Sequence, residues 1–117
     1  MGRPPLSRRV AGEPMVRFFK PQGIPLAQLK ESVVTEDGLE AIRLADVEGL
    51  YHDEAARRMG VSRATFGRVL ESARRAVGDA ITGGKALRIE GGNVEVVRQM
   101  PGTGFGRFRG RRGWGRR

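Results

Sequence analysis

Arginine and small polar residues near the start of one predicted helix carry the chemistry needed to read nucleic-acid bases. The guanidinium groups of Arg63 and Arg68 can each donate two parallel hydrogen bonds to one guanine. Ala64 and the methyl group of Thr65 can contact thymine methyl groups. Gly67 costs a helix about 1 kcal/mol relative to alanine, which a close approach of its backbone to DNA or to a neighbouring helix would explain. The predicted base-reading residues are Ser62, Arg63, Ala64, Thr65, Gly67 and Arg68.

Other arginines are candidates for contacts with a phosphate backbone, because a guanidinium group pairs well with phosphate oxygens. Arg57 stands four residues after Asp53, and Arg58 four residues after Glu54. Such pairs equally describe a solvated helix surface, where each contributes about 0.2–0.5 kcal/mol. Both interpretations therefore stay open for Arg57 and Arg58. The candidate phosphate-binding residues are Arg8, Arg9, Arg57, Arg58, Arg107, Arg109, Arg111 and Arg112.

The base-reading residues can be presented together only if residues 52–71 form two helices joined by a tight turn. Ala56 must be small where the helices cross, and Gly60 follows where the chain leaves the first helix in a left-handed conformation. Ser62 is a preferred N-cap residue and predicts a following helix that runs to about residue 81. Val61 would fill the space between the two helices. The other predicted inward-facing side chains are Ala55, Met59, Phe66, Val69, Leu70, Ala73, Val77 and Ile81.

Shorter elements are predicted on either side of this motif. Thr35 predicts the N-cap of a first helix that ends near Glu48. The remaining predicted elements are a strand at residues 16–20, one helical turn at 25–30, and a hairpin of strands 86–90 and 94–97 joined by the glycine-rich residues 91–93. The predicted fold is therefore mainly α, a three-helix helix-turn-helix domain over residues 16–97 with short flanking β-strands and disordered basic arms.

The net charge of +9 is concentrated at the two ends of the chain. Residues 1–20 carry five basic residues and one acid, residues 98–117 carry seven arginines and no acid, and residues 21–97 carry ten basic and twelve acidic residues. This distribution favours a polyanionic partner. The composition of residues 1–15 predicts a flexible basic arm. That of residues 98–117 predicts a disordered Gly/Arg-rich tail whose aromatic residues could stack on bases. A tail that only improves solubility is the alternative.

Composition excludes several other classes of protein. The chain has no cysteine, which rules out disulfides and thiolate metal sites, and its single histidine, His52, is expected to face solvent with no second ligand nearby. No apolar run is long enough for a membrane span, and no secretory signal is expected. The sequence predicts a cytoplasmic protein that is not an enzyme and that holds no metal and no cofactor.

Two resemblances extend this interpretation. The stretch LEAIRLADVEGLYHDEAARRMGVSRATFGRVLESARRAV resembles the region-4 helix-turn-helix of bacterial sigma-70 factors. From FFKPQGIPLAQL to GKALRIEGG, and over about residues 3 to 92, the chain is similar to small prokaryotic predicted DNA-binding proteins of the UPF0251 group. The resemblance implies a sigma-like helix-turn-helix fold, either winged or plain, a role in transcription regulation, and DNA contacts by Ser62, Arg63, Thr65 and Arg68.

The expected function is sequence-specific binding of double-stranded DNA, with the third helix in the major groove. The expected partner is DNA, RNA polymerase is a further candidate partner, a homodimer is a candidate assembly, and no membrane is expected. Two alternatives stay open. One is an RNA- or ribosome-associated protein that binds through the Gly/Arg tail, and the other is a protein-interaction module that docks on the transcription machinery.

Overall fold

The computed structural model describes residues 7–92 and 94–96. Over these residues, three α-helices are flanked by five short strands. A 3-10 turn at Leu26–Gln28 lies within the predicted turn at 25–30, and a π-helical segment at Arg43–Val47 continues the first helix. The strands and α-helices are β1 (Arg8–Val10), β2 (Phe18–Phe19), β3 (Glu31–Val34), α1 (Glu36–Ile42), α2 (His52–Met59), α3 (Arg63–Gly83), β4 (Ala86–Ile89) and β5 (Val94–Val96).

The helices begin and end at residues whose chemistry predicts a boundary. The side chain of Thr35 accepts a hydrogen bond from the backbone N–H of Gly38 and caps α1, as predicted. With its π-helical continuation, α1 ends at residue 47, close to the predicted Glu48. At the other end of the helical region, Gly84 adopts a left-handed conformation and ends α3.

Helix α3 is the central element, because its apolar stripe packs on α1 and α2 at Phe66 and Leu70 and on β3 and β4 at Ala73. The stripe is spaced by three and four residues, as a helix buried on one face requires. The fully buried members of the stripe are Phe66, Leu70, Ala73 and Ala80. Ile81 was predicted to belong to it but is 75% exposed. The stripe continues from Val77 to Ala80 instead, which turns Ile81 about 100° away from the core.

Strand β4 is the middle of a three-stranded sheet, with β2 antiparallel on one side and β3 parallel on the other. The predicted strand at residues 16–20 corresponds to β2. Strand β3 was not predicted, although its side chains alternate between exposed and buried. Across the sheet, Arg88 donates hydrogen bonds to Glu31, and this guanidinium lowers the pKa of the Glu31 carboxyl.

The predicted C-terminal hairpin does not form, although both of its strands do. Both edges of β4 are taken by β2 and β3, so β5 pairs in parallel with β1 in a separate two-stranded sheet. Gly91 and Gly92 have positive φ angles of 84° and 99° and carry the chain past the start of α1 instead of reversing it. A Cβ on Gly92 would lie 2.7 Å from the carboxylate of Asp37, which shows how closely the chain passes the helix.

The prediction of a flexible arm over residues 1–15 is wrong where the chain forms strand β1. Arg8–Val10 is ordered by its pairing with β5, and Val10 is buried at 3% exposure. The backbone N–H of Ala11 donates to the buried carboxylate of Glu40. Apolar burial and this hydrogen bond fix a segment whose arginine and glycine content alone favours disorder. The predicted domain start at residue 16 is therefore too late. Residues 1–6 and the predicted tail lie outside the described residues.

Candidate nucleic-acid interface

A three-residue turn joins α2 to α3 and sets the angle between them. Gly60 ends α2 with a φ of +70°, in the left-handed conformation that favours glycine. The N–H of Val61 donates to the carbonyl of Ala56, and the Ser62 side chain accepts from the N–H of Thr65 at 3.0 Å. The predicted turn and the predicted N-cap are both confirmed.

The inner side of this turn is anchored in the larger apolar cluster of the protein. Phe66 is fully buried and packs with the buried residues Ala56 and Met59, as predicted. His52 was expected to face solvent. It is instead half-buried, and its ring packs edge-on against Phe66 with the ring centroids 5.1 Å apart. The single histidine is therefore part of the packing that fixes the first turns of α3.

The outer side of the same turns carries all six predicted base-reading residues. Thr65 and Gly67 are half-buried, and the remaining four are exposed: Ser62, Arg63, Ala64 and Arg68. The hydroxyl of Ser62 donates to Thr65 Oγ1 at 3.0 Å, and Arg68 donates to the same oxygen at 3.3 Å. These bonds link the side chains of Ser62, Thr65 and Arg68 into one short network.

Gly67 leaves an open space on this surface. Apart from its chain neighbours and the backbone of α3, a Cβ built at Gly67 meets no atom within 4 Å, so α2 does not approach closely enough to require glycine there. Close packing against a neighbouring helix is therefore the wrong explanation for this glycine. Close approach by a partner outside the chain stays a prediction.

Asp53 is a site residue that the sequence pattern did not identify. It was expected to pair with Arg57, but its carboxylate lies 2.8 Å from Nε of Arg63. Arg57 pairs instead with Glu54, at 3.0 Å. Asp53 and Arg63 are ten residues apart, a spacing that by itself does not predict a contact. The contact forms because the crossing of α2 and α3 brings the N-terminal ends of the two helices together.

Arg57 and Arg58, two candidate phosphate-binding residues, are exposed on α2 and carry ion pairs. Arg58 contacts Glu54 at 3.1 Å, as predicted, and Glu48 at 3.7 Å. Glu48 also pairs with Arg43. Burial alone would lower the pKa of Arg43, but hydrogen bonds and charges of neighbouring carboxylates outweigh it and raise that pKa. These carboxylates partly compensate the positive charge of α2.

Strand β1 places Arg8 and Arg9 beside the α2–α3 turn. The Arg9 guanidinium lies over Gly60, with its Nε 3.4 Å from the position of a Cβ on that glycine. Arg8 lines a cleft together with Arg68 and Ser72 of α3. Its Nε is buried without a hydrogen bond and lies 3.5 Å from Asp37.

The structure thus brings two of the predicted phosphate-binding residues, Arg8 and Arg9, to the face that carries the base-reading residues. The candidate residues Arg107, Arg109, Arg111 and Arg112 lie outside the described residues.

Two features are absent from the part of the chain that the structure describes. Neither α3 nor any other helix there combines the length and apolar character that crossing a membrane requires. No cluster of three or more acidic, histidine or cysteine side chains among the same residues is placed to hold a metal ion.

Fold and surface together define a small, mainly α protein that fits a helix-turn-helix-like domain with short flanking strands. The family profile described as "Protein of unknown function DUF134" matches residues 1–97, and the chain belongs to this family.

Relatives of similar length carry the name UPF0251 protein. One from Caldanaerobacter subterraneus is 51% identical over 114 residues, covering 97% of this chain and 96% of the relative. One from Thermoanaerobacter pseudethanolicus is 50% identical over 117 residues, covering 99% of this chain and 98% of the relative. A longer one from Prosthecochloris aestuarii is 60% identical over 93 residues, which cover 80% of this chain and 60% of the relative. No solved structure matches the chain.

Proposed function

We propose that this protein binds double-stranded DNA sequence-specifically and regulates transcription, with the first two turns of α3 in the major groove. The observation that carries the proposal is the two-sided character of these turns. Phe66 fixes their inner side in the core, while Arg63 and Arg68 stand exposed on the outer side. A rigid helix start with exposed guanidinium groups suits base reading, because bidentate contacts need donors at fixed positions.

Charge supports the same assignment. Among the described residues, Arg9 and Arg68 form no ion pair, so their full charge is available to a polyanion. Arg9 lies at the turn and Arg68 lies one to two helical turns along α3. On DNA, Arg68 would contact a base edge, whereas Arg8 and Arg9 would contact the phosphate backbone beside the groove.

The experiment has two stages and uses the full chain. Sequences bound by the wild-type protein are first selected from random duplex DNA. The selected site and a shuffled duplex are then compared for the wild type and for the double variant Arg63→Ala/Arg68→Ala. Each bidentate pair with a base contributes about 1–3 kcal/mol of discrimination. The loss of one such pair should therefore lower the affinity for the selected site, relative to the shuffled duplex, roughly fivefold to 150-fold.

A matched control removes two positive charges elsewhere. Arg17→Ala/Arg75→Ala breaks two exposed ion pairs, to Glu36 and Glu71, away from the α2–α3 turn. The control should weaken binding to both duplexes alike and leave their ratio unchanged. Selective binding that survives removal of the Arg63 and Arg68 side chains would show that the recognition surface is wrongly assigned.

Two other functions remain as outcomes of the same test. Binding of RNA without duplex selectivity would favour an RNA- or ribosome-associated protein. Failure to bind either nucleic acid, together with binding to RNA polymerase, would favour a module that docks on the transcription machinery. A two-fold symmetric selected site would indicate a homodimer, because the symmetry of a site mirrors that of the bound protein.

A further inference from the structure

The ion pair between Asp53 and Arg63 joins the first turn of α2 to the first turn of α3. Asp53 Oδ1 lies 2.8 Å from Arg63 Nε, which is an ion-pair distance. The side chains of Arg63 and Asp53 keep 70% and 73% of their surface exposed. An ion pair this exposed contributes little to the stability of a fold, because water solvates both charges well and screens their attraction. The pair therefore has little to do with holding the two helices together.

The contact does restrict the Arg63 side chain. Arginine has many rotamers, and ordering it on binding costs conformational entropy. The carboxylate of Asp53 lies beside Nε, so its charge favours this placement of the planar guanidinium and leaves the two terminal amino groups free to donate. Those amino groups form the pair of parallel donors that matches O6 and N7 of guanine. The observed geometry thus leaves Arg63 prepared for an end-on guanine contact.

We propose that Asp53 is a positioning residue that orients Arg63 toward guanine and so sets the base preference at one position of the DNA site. This inference rests on the proposed function, since Arg63 must face the major groove. It deepens that function by assigning the base that Arg63 reads and a residue outside α3 that determines the choice.

If Asp53 acted only through its charge, removing its carboxylate would have a different effect on DNA binding from the one that a positioning role predicts. Asp53 places a negative charge beside the surface assigned to a polyanion, so its removal should tighten binding to every duplex. A positioning role instead predicts that removal lowers the preference for guanine at one position. The two accounts differ in the sign of the change at the preferred site, so a single variant separates them.

The experiment measures relative affinity for four versions of the selected site, each with a different base pair at the position where Arg63→Ala abolishes discrimination. The proteins are the wild type, Asp53→Ala, Asp53→Asn and the control Glu71→Ala. Glu71 is matched to Asp53 because it also forms an exposed ion pair with an arginine, Arg75, at 3.1 Å, but farther along α3. Thermal unfolding of each variant checks that the fold is retained. In Asp53→Ala, Glu54 remains in the first turn of α2, where its negative charge still interacts favourably with the helix dipole.

For wild type we expect guanine to be preferred at this position. Asp53→Ala should lower that preference about twofold to fivefold, because an ion pair this exposed can hold the arginine side chain only weakly. Asp53→Asn should retain part of the preference, because its amide oxygen can occupy the same place beside Nε without a charge. Glu71→Ala should leave the size of the guanine preference unchanged.

A preference for guanine that Asp53→Ala leaves as large as in wild type, with or without tighter binding to all four duplexes, would overturn the positioning role and leave the proposed function intact. A preferred base other than guanine in wild type would also overturn it. A wild-type protein that shows no selectivity for any duplex would overturn the proposed function itself, and the two failures are therefore distinguishable.

Discussion

Gly67 and Gly78 are both interior residues of α3, and at neither would a methyl group collide with the fold. Apart from its chain neighbours and the backbone of α3, a Cβ built at either position meets no atom within 4 Å. Glycine in a helix interior costs about 0.5–1 kcal/mol relative to alanine, because its backbone loses more conformational freedom on folding. The two positions therefore share the same cost in stability, but only Gly67 lies on the proposed DNA-binding surface.

We predict that Gly67→Ala stabilises the protein by about 0.5–1 kcal/mol and weakens binding to the selected DNA site by about fivefold or more. The added methyl group fits the free protein but would occupy the space into which the DNA surface must come. Urea denaturation measures the first effect, and titration of labelled duplex DNA measures the second.

Gly78→Ala is the matched control for this prediction. It should stabilise α3 by a similar amount and leave DNA binding unchanged, since Gly78 lies about three turns beyond Gly67. Equal DNA affinity of Gly67→Ala and wild type would remove the close approach of DNA as the reason for this glycine.

At the start of α3, the sequence predicted that Arg63 faces outward but not which residue it contacts. The exposure of Arg63 follows from its place at the start of an amphipathic helix, and Ser62 caps that helix because of its hydroxyl. The partner of Arg63 could not be predicted in the same way. Asp53 lies on another helix, and the distance between them depends on the crossing angle, which spacing along the chain does not encode.

Strand β1 is the element whose role differs most from the one that its sequence predicts, which is a flexible basic arm. It supplies Val10 to the interior, pairs with β5, and packs against α1 and α2. It also carries Arg8 and Arg9 to the face of the α2–α3 turn. The segment therefore links the stability of the domain to the proposed interface.

We predict that Val10→Ala destabilises the protein by about 2 kcal/mol, because it removes about two buried methylene equivalents and leaves a small void. The measurement is the free energy of unfolding in urea. Met15→Ala is the control, since the Met15 side chain is 96% exposed and its truncation should have no measurable effect. Equal stability of the Val10→Ala variant and wild type would place β1 outside the cooperative fold.

Helices were predicted more accurately than strands for a physical reason. A helix satisfies its hydrogen bonds locally, so Thr35 and Gly60 mark boundaries that hold whatever the surroundings are. A strand satisfies its backbone hydrogen bonds only by pairing with another strand, which can lie far away in the sequence. Residues 86–97 have the composition of a hairpin, but β4 already has two neighbours, and β5 finds its partner in β1. Pairing between segments so far apart was not visible in the local pattern.

The charge of the whole molecule is divided between an almost neutral middle and two basic ends. Residues 21–97 have two more acids than bases, whereas residues 98–117 carry seven arginines and no acid. Long-range attraction to a polyanion would therefore come mainly from the ends, and base reading from α3. The second of these ends lies outside the described residues.

We predict that removing residues 98–117 flattens the dependence of log K on log salt by about 0.9 for each phosphate that the tail neutralises. The preferred DNA sequence should not change, because phosphate contacts carry no base information. Binding titrations at several salt concentrations provide the slope. An unchanged slope would leave the tail with a solubilising role only.

The most direct test of the central claim is selection of bound sequences from random duplex DNA by the full chain. If the exposed start of α3 reads bases, the selected pool should converge on a short motif that contains guanine, and Arg63→Ala/Arg68→Ala should fail to enrich it. A pool that stays as diverse as the input, or a motif that the double variant enriches equally well, would contradict the assignment of Arg63 and Arg68 to base recognition.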